Sequence, residues 1–233
     1  MNHPWLYDET VQAGTDYQDE DQVRAYDARM GRLRHIEAEI GEIRAALGVS
    51  AGSVLWEIGT GTGECALGLA AWAGHVYATD TSRAMLAYAR QKAASRGVAN
   101  LTFEWGGFLS GFRPGKPVDG IVSQLAFHHL PDFWKARALE EMAAALRPGG
   151  RLFLRDVIYP SLASGKEYDD FFRAVIEGVR AKAGEEMAAP TIRHIKAEFS
   201  TLDWILEGMI ERSGLKIREK SAGGLLSMYV CEK

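Results

Sequence analysis

The chain of 233 residues lacks several features that mark whole classes of protein. Its two cysteines, Cys65 and Cys231, are too few for a disulfide framework or a metal-ligand cluster, and they fit a reducing compartment. No apolar run reaches membrane-spanning length, and Met1–Gln22 lacks the basic and then apolar order of a signal peptide. Low-complexity tracts and internal repeats are also missing, which argues against solenoids and disordered arrays. We therefore expect a cytoplasmic protein with no membrane partner.

Basic clusters are missing as well. Lysine and arginine are scattered along the chain, and the formal net charge is −4. Because a nucleic-acid binder usually carries a basic footprint, we expect no nucleic-acid partner. What the chain does have is 47% hydrophobic and 25% charged residues, which is ordinary for a globular protein and suits one domain with a modest appendage.

Short apolar segments alternate with helical ones through the middle of the chain. Such alternation predicts βαβ units and a parallel sheet, and strands that are mostly apolar are typical of a sheet covered by helices on both faces. The five predicted strands are Ser53–Ile58, His75–Thr79, Leu101–Glu104, Val118–Ser123 and Arg151–Ile158.

The two ends of the chain depart from this rhythm. Before the first strand, Asp19–Arg32 and Leu33–Leu47 have helical spacing, and Gly48 is a plausible stop. After Pro160 the pattern changes again, and a closing hairpin is predicted around two consecutive glycines. The elements predicted there are a helix Lys166–Lys182, an irregular stretch Ala183–Ser200 with Pro190, a helix Asp203–Arg212 begun by a capping box at Ser200–Asp203, and hairpin strands Leu215–Ser221 and Leu225–Glu232.

A glycine-rich turn, Glu57 to Gly63, joins the first strand to the first crossover helix. Glycines let the backbone turn sharply and approach a ligand, and open α/β sheets bind ligands at the carboxyl ends of their strands. Dinucleotide binders use G-x-G-x-x-G, whereas here the spacing is G-x-G-x-G. Glu57 would repel a pyrophosphate, but it suits the sulfonium and ammonium groups of S-adenosylmethionine (SAM).

Asp80 ends the second predicted strand, roughly twenty residues after the turn, where an acidic residue can accept hydrogen bonds from both ribose hydroxyls. Binders of NAD share this feature, so it does not discriminate between cofactors. The alternative is that Asp80 only begins the helix that Ser82 can cap.

Four segments in order, VLWEIGTGTG, VYATDTSRAMLAYA, VDGIVSQLAFHHL and LRPGGRLFLRDV, resemble the motifs of class I SAM-dependent methyltransferases, most of all the uncharacterised bacterial small-molecule type. The resemblance covers about Ser53 to Ile158 closely and the final hairpin more loosely. It implies an α/β fold: a Rossmann-like, seven-stranded mixed sheet of order 3-2-1-4-5-7-6, with strand 7 antiparallel, helices on both faces and a helical lid. We expect residues 1–50 to form a lid or cap segment and 51–233 the SAM-binding domain, with 160–200 as a helical insertion that contributes to the lid.

The resemblance also implies which residues hold the donor. Those expected near SAM are Glu57, Gly59, Thr60 and Gly61 at the methionine part, Asp80 at the ribose, Thr81, Met85, Gly107 and Phe108 at the adenine, and Gln124 and Leu125 after strand four. One position departs from the family pattern, because Gly107 stands where an acidic residue usually bonds the adenine amino group. A backbone carbonyl or a water could take that bond, and weaker SAM binding is one possible consequence.

Two histidines follow the fourth strand, at the mouth of the expected site. Histidine is the usual general base, and His128 is the predicted catalytic residue; a similar position holds a catalytic histidine in plant-type O-methyltransferases, although only part of their motif matches. The alternatives are His129 as the base, or two histidines that merely pack and bond the loop. Asp156 and Tyr159 could face an acceptor or could be structural.

We expect no metal, because the six histidines show no ligand spacing with cysteines or paired carboxylates, and adjacent His128 and His129 would point apart in an extended chain.

Four functions compete to explain these observations. The first is methyl transfer to a small molecule, with S-adenosylhomocysteine (SAH) as the product. The second is a nucleic-acid or protein methyltransferase; the DNA amino-methylating subtype is disfavoured, because Ser123–Ala126 lacks its N/D-P-P-Y run. The third is a SAM-binding module without catalysis, and the fourth, an NAD-dependent oxidoreductase, conflicts with the glycine spacing. The acceptor and the oligomeric state stay open.

Overall fold

The computed structural model describes residues 4–11, 18–32 and 34–233. Its strands form one mixed sheet. They are β1 (Val54–Ile58), β2 (His75–Asp80), β3 (Leu101–Trp105), β4 (Val118–Gln124), β5 (Leu146–Tyr159), β6 (Thr201–Leu202), β7 (Lys216–Gly223) and β8 (Leu226–Glu232). The helices are α1 (Glu20–Met30), α2 (Ile36–Leu47), α3 (Glu64–Ala70), α4 (Arg83–Ser95), α5 (Asp132–Ala145), α6 (Gly165–Ala183), α7 (Glu185–Ala197) and α8 (Asp203–Arg212), with a 3-10 turn at Phe127–His129.

The strand order is β3-β2-β1-β4-β5-β8-β7, and β6 pairs with the end of β5. Strands β1 to β5 run parallel, whereas β8 is antiparallel to β5 and to β7. The predicted Rossmann-like mixed sheet is therefore confirmed. The numbering differs from the expected 3-2-1-4-5-7-6 only because the two-residue β6 precedes the hairpin.

Side chains on alternate positions of each central strand enter two separate hydrophobic clusters, as the two faces of a pleated sheet require. On one face Trp56 and Ile58 pack with residues of α5 and α8. On the other, Leu55 packs with Ile43 of α2 and with residues of α3 and α4. Helix α2, half of the predicted N-terminal lid, thus covers the sheet itself.

Local signals begin and end several helices where the sequence predicts. The Ser82 hydroxyl accepts a hydrogen bond from the Met85 amide (3.1 Å) at the start of α4. Gly48 ends α2 with a left-handed φ of 64°. Asp19 accepts from the Asp21 amide (2.8 Å) and caps α1. Leu33, the predicted start of the second helix, lies outside the described residues, as do residues 1–3 and 12–17 of the expected lid.

Two predictions for the C-terminal part are wrong. The stretch expected to be irregular contains α7, with Pro190 inside the helix. Proline removes one backbone hydrogen bond, but burial of Met187 and Ala188 stabilises the helix despite that cost. The capping box at Ser200–Asp203 does not form, because Thr201 and Leu202 pair with β5 and no side chain caps α8. Among the described residues, no helix has the length and apolar character needed to cross a bilayer.

Candidate active site

The glycine turn is fixed to the neighbouring strand by its backbone. The amides of Gly59 and Thr60 both donate to the Thr79 carbonyl (2.9 Å each). Gly59 has a left-handed φ of 77°, and a Cβ built there would lie 2.3 Å from the Cβ of Ala126. Only glycine therefore permits the loop after β4 to approach the turn this closely.

Two cavities with shared walls open at this carboxyl edge of the sheet, with empty volumes of about 640 Å³ and about 800 Å³. Tyr26, Gly59, Gly61 and Leu125 line both. Every residue predicted to contact SAM lines one cavity or the other. Those in the first are Asp80, Thr81, Met85, Gly107 and Phe108; those in the second are Glu57, Thr60 and Gln124; Gly59, Gly61 and Leu125 belong to both.

Glu57 faces the second cavity from the end of β1, with only 3% of its surface exposed. The Thr60 hydroxyl donates to its carboxylate (2.7 Å). Burial nevertheless raises the pKa of Glu57 to about 7, because the low-dielectric surroundings penalise the charged form. A cation that entered this cavity would restore the charge.

Asp80 sits between the glycine turn and the start of α4. One carboxylate oxygen accepts from the Gly61 amide and the other from the Ser82 amide, each at 2.8 Å. Asp80 therefore orders the start of α4 and also lines the first cavity, and its role at the ribose stays a prediction. Each carboxylate oxygen can accept a further hydrogen bond, so two ribose hydroxyls could still be bound.

Leu125 has a left-handed φ of 54°, the only such value at a non-glycine residue in the described part of the chain. Its amide donates to the Arg155 carbonyl (2.9 Å) where β4 ends. A branched residue in this conformation is strained by about 1–2 kcal/mol, and such strain concentrates at functional sites. The strained turn places Leu125 against both cavities.

The N-terminal segment reaches the far end of the first cavity. The Glu9 carboxylate, 7% exposed, accepts hydrogen bonds from the Phe108 amide (2.8 Å), the Leu109 amide (3.1 Å) and the Ser110 hydroxyl (2.5 Å). A Cβ at Gly107 would lie 2.4 Å from a Glu9 oxygen. An acidic group therefore occupies the space beside Gly107, delivered from a distant part of the chain.

His128 lies in a buried network of carboxylates. Its Nδ1 is 2.5 Å from Asp156 Oδ1, and its Nε2 is 3.0 Å from Glu198 Oε2. Burial opposes a charge on the ring, but the two carboxylates outweigh it and raise the pKa of His128 to about 9. Asp156 also accepts from the amides of Ala126 and Phe127 (3.1 and 2.6 Å). Asp156 thereby fixes the loop after β4.

His129, rather than His128, lines the first cavity. Burial, together with the charge on His128, lowers the pKa of His129 to about 3 and keeps the ring neutral. The two rings lie 4.3 Å apart between centroids, because residues Phe127–His129 form a 3-10 turn instead of an extended chain. The premise that adjacent histidines would diverge is therefore wrong.

Three possible metal ligands converge here: nitrogens of His128 and His129 and an oxygen of Glu198 lie within 4.8 Å of one another. Sequence spacing could not reveal this group, because Glu198 follows α7. The His128 nitrogens already contact Asp156 and Glu198, and coordination by His128 would require one of these contacts to be replaced. The expectation of no metal stays a prediction.

Comparisons with known proteins agree with this geometry. A protein-family model, described as a methyltransferase domain, matches residues 55–150. An uncharacterized methyltransferase of Geobacillus kaustophilus is 30% identical over 192 residues, which are 82% of this chain and 81% of that protein. The chain belongs to the methyltransferase family. The predicted recognition as a class I SAM-dependent methyltransferase is thus confirmed.

Solved structures show the same fold for this methyltransferase. YcgJ of Bacillus subtilis superposes with a TM-score of 0.61 at 22% identity, covering 79% of this chain and 71% of YcgJ. A complex of DhpI with SAH superposes with a TM-score of 0.64 at 17% identity, covering 92% of each chain.

Several cavity-lining or network residues escaped the sequence analysis. Glu9, Tyr26 and Arg34 reach the cavities from before β1, and Glu198 reaches His128 from the end of α7. None of them carries a local motif, because each arrives through tertiary packing. The one signal that the sequence offered was Gly107, a glycine where the family pattern has an acidic residue.

Proposed function

We propose that this methyltransferase transfers a methyl group from SAM to a small-molecule acceptor by in-line displacement. The observation that carries the proposal is the buried Glu57 at the glycine turn, in a cavity that shares walls with the one that Asp80 lines. When bound, SAM supplies a methyl group on a sulfonium, which is already a good leaving group. The protein's task is then mainly to position and orient the two reactants.

The second cavity suits the amino-acid end of SAM. The carboxylate of Glu57 would pair with the ammonium group, and the cation would offset the cost of ionising a buried acid. Arg34 lines the same cavity; its Nε and Nη2 donate to Glu39, so Nη1 is the nitrogen that could bond a ligand carboxylate. The lining thus carries groups of both signs, the guanidinium of Arg34 and the carboxylates of Asp27, Glu57 and Glu64.

The walls of the cavities support a small acceptor. Tyr26 of α1 lines both cavities and Glu9 of the N-terminal segment lines the first, so an acceptor has to fit between the sheet edge and parts of the chain that precede β1. We keep the expectation of a cytoplasmic enzyme with no nucleic-acid partner.

The base, if the acceptor has a proton to lose, is one of the two histidines. The assignment of His128 stays a prediction, although a ring with a pKa of about 9 carries protons on both nitrogens near neutrality, so His128 would first have to lose one and Glu198 would have to move away from Nε2. His129 lines the first cavity and its ring is neutral, so it is the second candidate, although a pKa of about 3 makes it a weak proton acceptor. Loss of turnover with unchanged SAH affinity in His128→Ala or in His129→Ala would identify the base; full turnover in His128→Ala would exclude His128.

Methyl-labelled SAM added to a bacterial extract tests the acceptor class. After incubation with the enzyme, ultrafiltration separates metabolites from macromolecules. We expect enzyme-dependent label in the small-molecule fraction. Label only in the protein fraction would support the protein-methyltransferase alternative. No transfer by a protein that binds SAH would support the non-catalytic module.

A further inference from the structure

The first cavity needs a hydrogen-bond acceptor at the end lined by Thr81, Met85 and Gly107 if it is to recognise a purine amino group. An exocyclic amino group that is removed from water loses free energy unless its N–H groups are bonded. This end of the cavity therefore decides between a 6-amino purine and a 6-oxo purine, which presents an acceptor at the same place.

Several backbone carbonyls around this end already accept hydrogen bonds. Arg113 donates to the carbonyls of Gly107 (3.1 Å), Phe108 (2.8 Å) and Ser110 (3.1 Å). The Thr81 carbonyl accepts from the Trp105 indole (3.1 Å), and the Trp105 carbonyl accepts from the Phe112 amide (3.0 Å). Each of these carbonyls has two lone pairs, but a carboxylate accepts a stronger hydrogen bond than a carbonyl does, so a carboxylate at this end is the better candidate for the acceptor.

Glu9 has acceptor capacity to spare at the same place. Its two oxygens offer about four lone-pair sites, and the donors that reach them are the Phe108 and Leu109 amides and the Ser110 hydroxyl. These bonds hold the carboxylate beside Gly107, where it lines the first cavity. We propose that Glu9 accepts a hydrogen bond from the adenine amino group and makes the site selective for adenine; this inference rests on the SAM-binding function proposed above.

The absence of a side chain at Gly107 leaves space for the Glu9 carboxylate. A side chain at position 107 would collide with the Glu9 carboxylate, since its Cβ would lie 2.4 Å from one oxygen. The Gly107 backbone has no left-handed φ, so any residue could adopt its conformation. The absence of a side chain at position 107 therefore serves to admit Glu9, and an acid at 107 should replace Glu9 when Glu9 is removed.

The N-terminal segment is also held beside His129, another residue that lines the first cavity. Two residues before Glu9, the ring of Tyr7 stacks on Trp134 and meets the edge of Phe199, and its hydroxyl approaches the His129 carbonyl (3.4 Å). These contacts position Pro4–Val11 across the site, so that Glu9 is presented at the cavity wall before any ligand arrives.

Calorimetric titration with SAH and with S-inosylhomocysteine, its 6-oxo analogue, tests the proposal. We expect the wild type to prefer SAH at least about tenfold, as a hydrogen bond to a charged group implies. In Glu9→Ala and Glu9→Gln that preference should fall, towards one in the alanine variant. Asp8→Ala is the matched control, because it removes the same charge from the same segment, while the Asp8 side chain bonds Thr10 alone among the described residues. Its preference should equal that of the wild type.

Two further variants, Gly107→Asp alone and Gly107→Asp combined with Glu9→Ala, should change SAH affinity in opposite directions. Gly107→Asp alone should weaken SAH binding, because the new side chain meets Glu9. Gly107→Asp in the Glu9→Ala background should instead restore affinity and the preference for SAH. Unfolding midpoints measured without ligand identify any variant that has lost its fold. If Glu9→Ala alone does not fold, the double variant still tests the proposal, because it should bind SAH and prefer it.

Four results would overturn the proposal. Equal weakening of both ligands in Glu9→Ala would mean that Glu9 only orders the loop at residues 107–110. Tighter SAH binding in Glu9→Ala would mean that Glu9 obstructs the site. A wild type that binds neither ligand would contradict the proposed function itself, whereas an unaltered preference in a wild type and variants that do bind SAH would contradict only the role of Glu9.

Discussion

At the scale of single residues, the site is built on buried charges that the free protein supports at a cost. Glu57 at the methionine end is held half-protonated near neutrality by desolvation. His128 is the opposite case, a buried ring whose charge two carboxylates favour. Both pKa values differ from those of the same groups in an unfolded chain. The free energies of ligand binding and of unfolding should therefore depend on pH, each with a defined sign.

The pH dependence of SAH binding should follow the ionisation of the Glu57 carboxyl. A ligand ammonium prefers the ionised carboxylate, and the pKa of the free protein is about 7, so binding at lower pH requires that a proton be released. We expect the Kd of SAH to increase by up to about tenfold for each pH unit below about 7 and to be flat above it. Calorimetry across this range measures the slope. Glu57→Gln should bind more weakly and without the slope; a wild type with a flat profile would contradict the assigned role.

The stability of the fold should depend on the charge of His128. Its folded pKa of about 9 is raised above the unfolded value near 6.5, so its stabilisation is complete below about 6.5 and is lost as the pH rises through about 9. His128→Gln should therefore lower the free energy of unfolding by about 3 kcal/mol at pH about 6 and by much less at pH about 9.5. Urea titrations measure both values.

His35→Gln is the matched control for that experiment, because His35 precedes α2 and makes no capping hydrogen bond. Its effect should be small at both pH values. If His128→Gln destabilised the protein equally at the two values, the ring would act through packing alone.

At the scale of elements, the contact between the glycine turn and the loop after β4 decides the shape of the site. Gly59 and Gly61 both have left-handed φ values, 77° and 56°. A Cβ at Gly59 meets Ala126 at 2.3 Å, whereas one at Gly61 meets nothing within 4 Å. An alanine at either position would therefore meet the same kind of backbone strain, but only an alanine at Gly59 would also meet a steric contact.

Alanine at each of these glycines separates the two effects. We expect Gly61→Ala to reduce stability by about 1–2 kcal/mol through strain alone. Gly59→Ala should cost about 1–3 kcal/mol more, because the loop that carries Leu125 and Ala126 must move. Thermal or urea unfolding gives the difference. Equal costs in the two variants would show that the close approach of the turn and the loop does not constrain the fold.

At the scale of the whole molecule, elements from both ends of the chain meet at the carboxyl edge of the sheet. Tyr26 of α1 lines both cavities, and Glu198 at the end of α7 bonds His128. The lid role proposed for residues 1–50 concerns α1 and Pro4–Val11 within the described ranges, since α2 packs on the sheet.

Amide hydrogen exchange should show this coupling. Adding SAH should slow exchange in α1, because Tyr26 contacts the space that the ligand fills. The hairpin of β7 and β8 lies at the opposite edge of the sheet from β3 and serves as an internal reference whose exchange should stay the same. Uniform slowing throughout the molecule, or none in α1, would contradict a lid at this position.

The sequence predicted what depends on local pattern. Apolar strands, the glycine turn and the cap at Ser82 are each encoded within a few residues, and the structure reproduces them. Helix α7 was missed because Pro190 is a strong local signal against a helix, and only burial of its neighbours reverses that signal. Glu9 and Glu198 were missed for the same general reason, since tertiary packing alone brings them to Gly107 and His128.

Thermal melting of the wild type with SAH, with NADH as the comparison, tests most directly whether the two adjoining cavities bind SAM. SAH at about one hundred times its Kd should stabilise the protein by about 2.7 kcal/mol. For a chain of this length that is a rise in Tm of roughly 5–10 °C, with no rise from NADH. No shift with SAH at high concentration, or an equal shift with NADH, would contradict the claim.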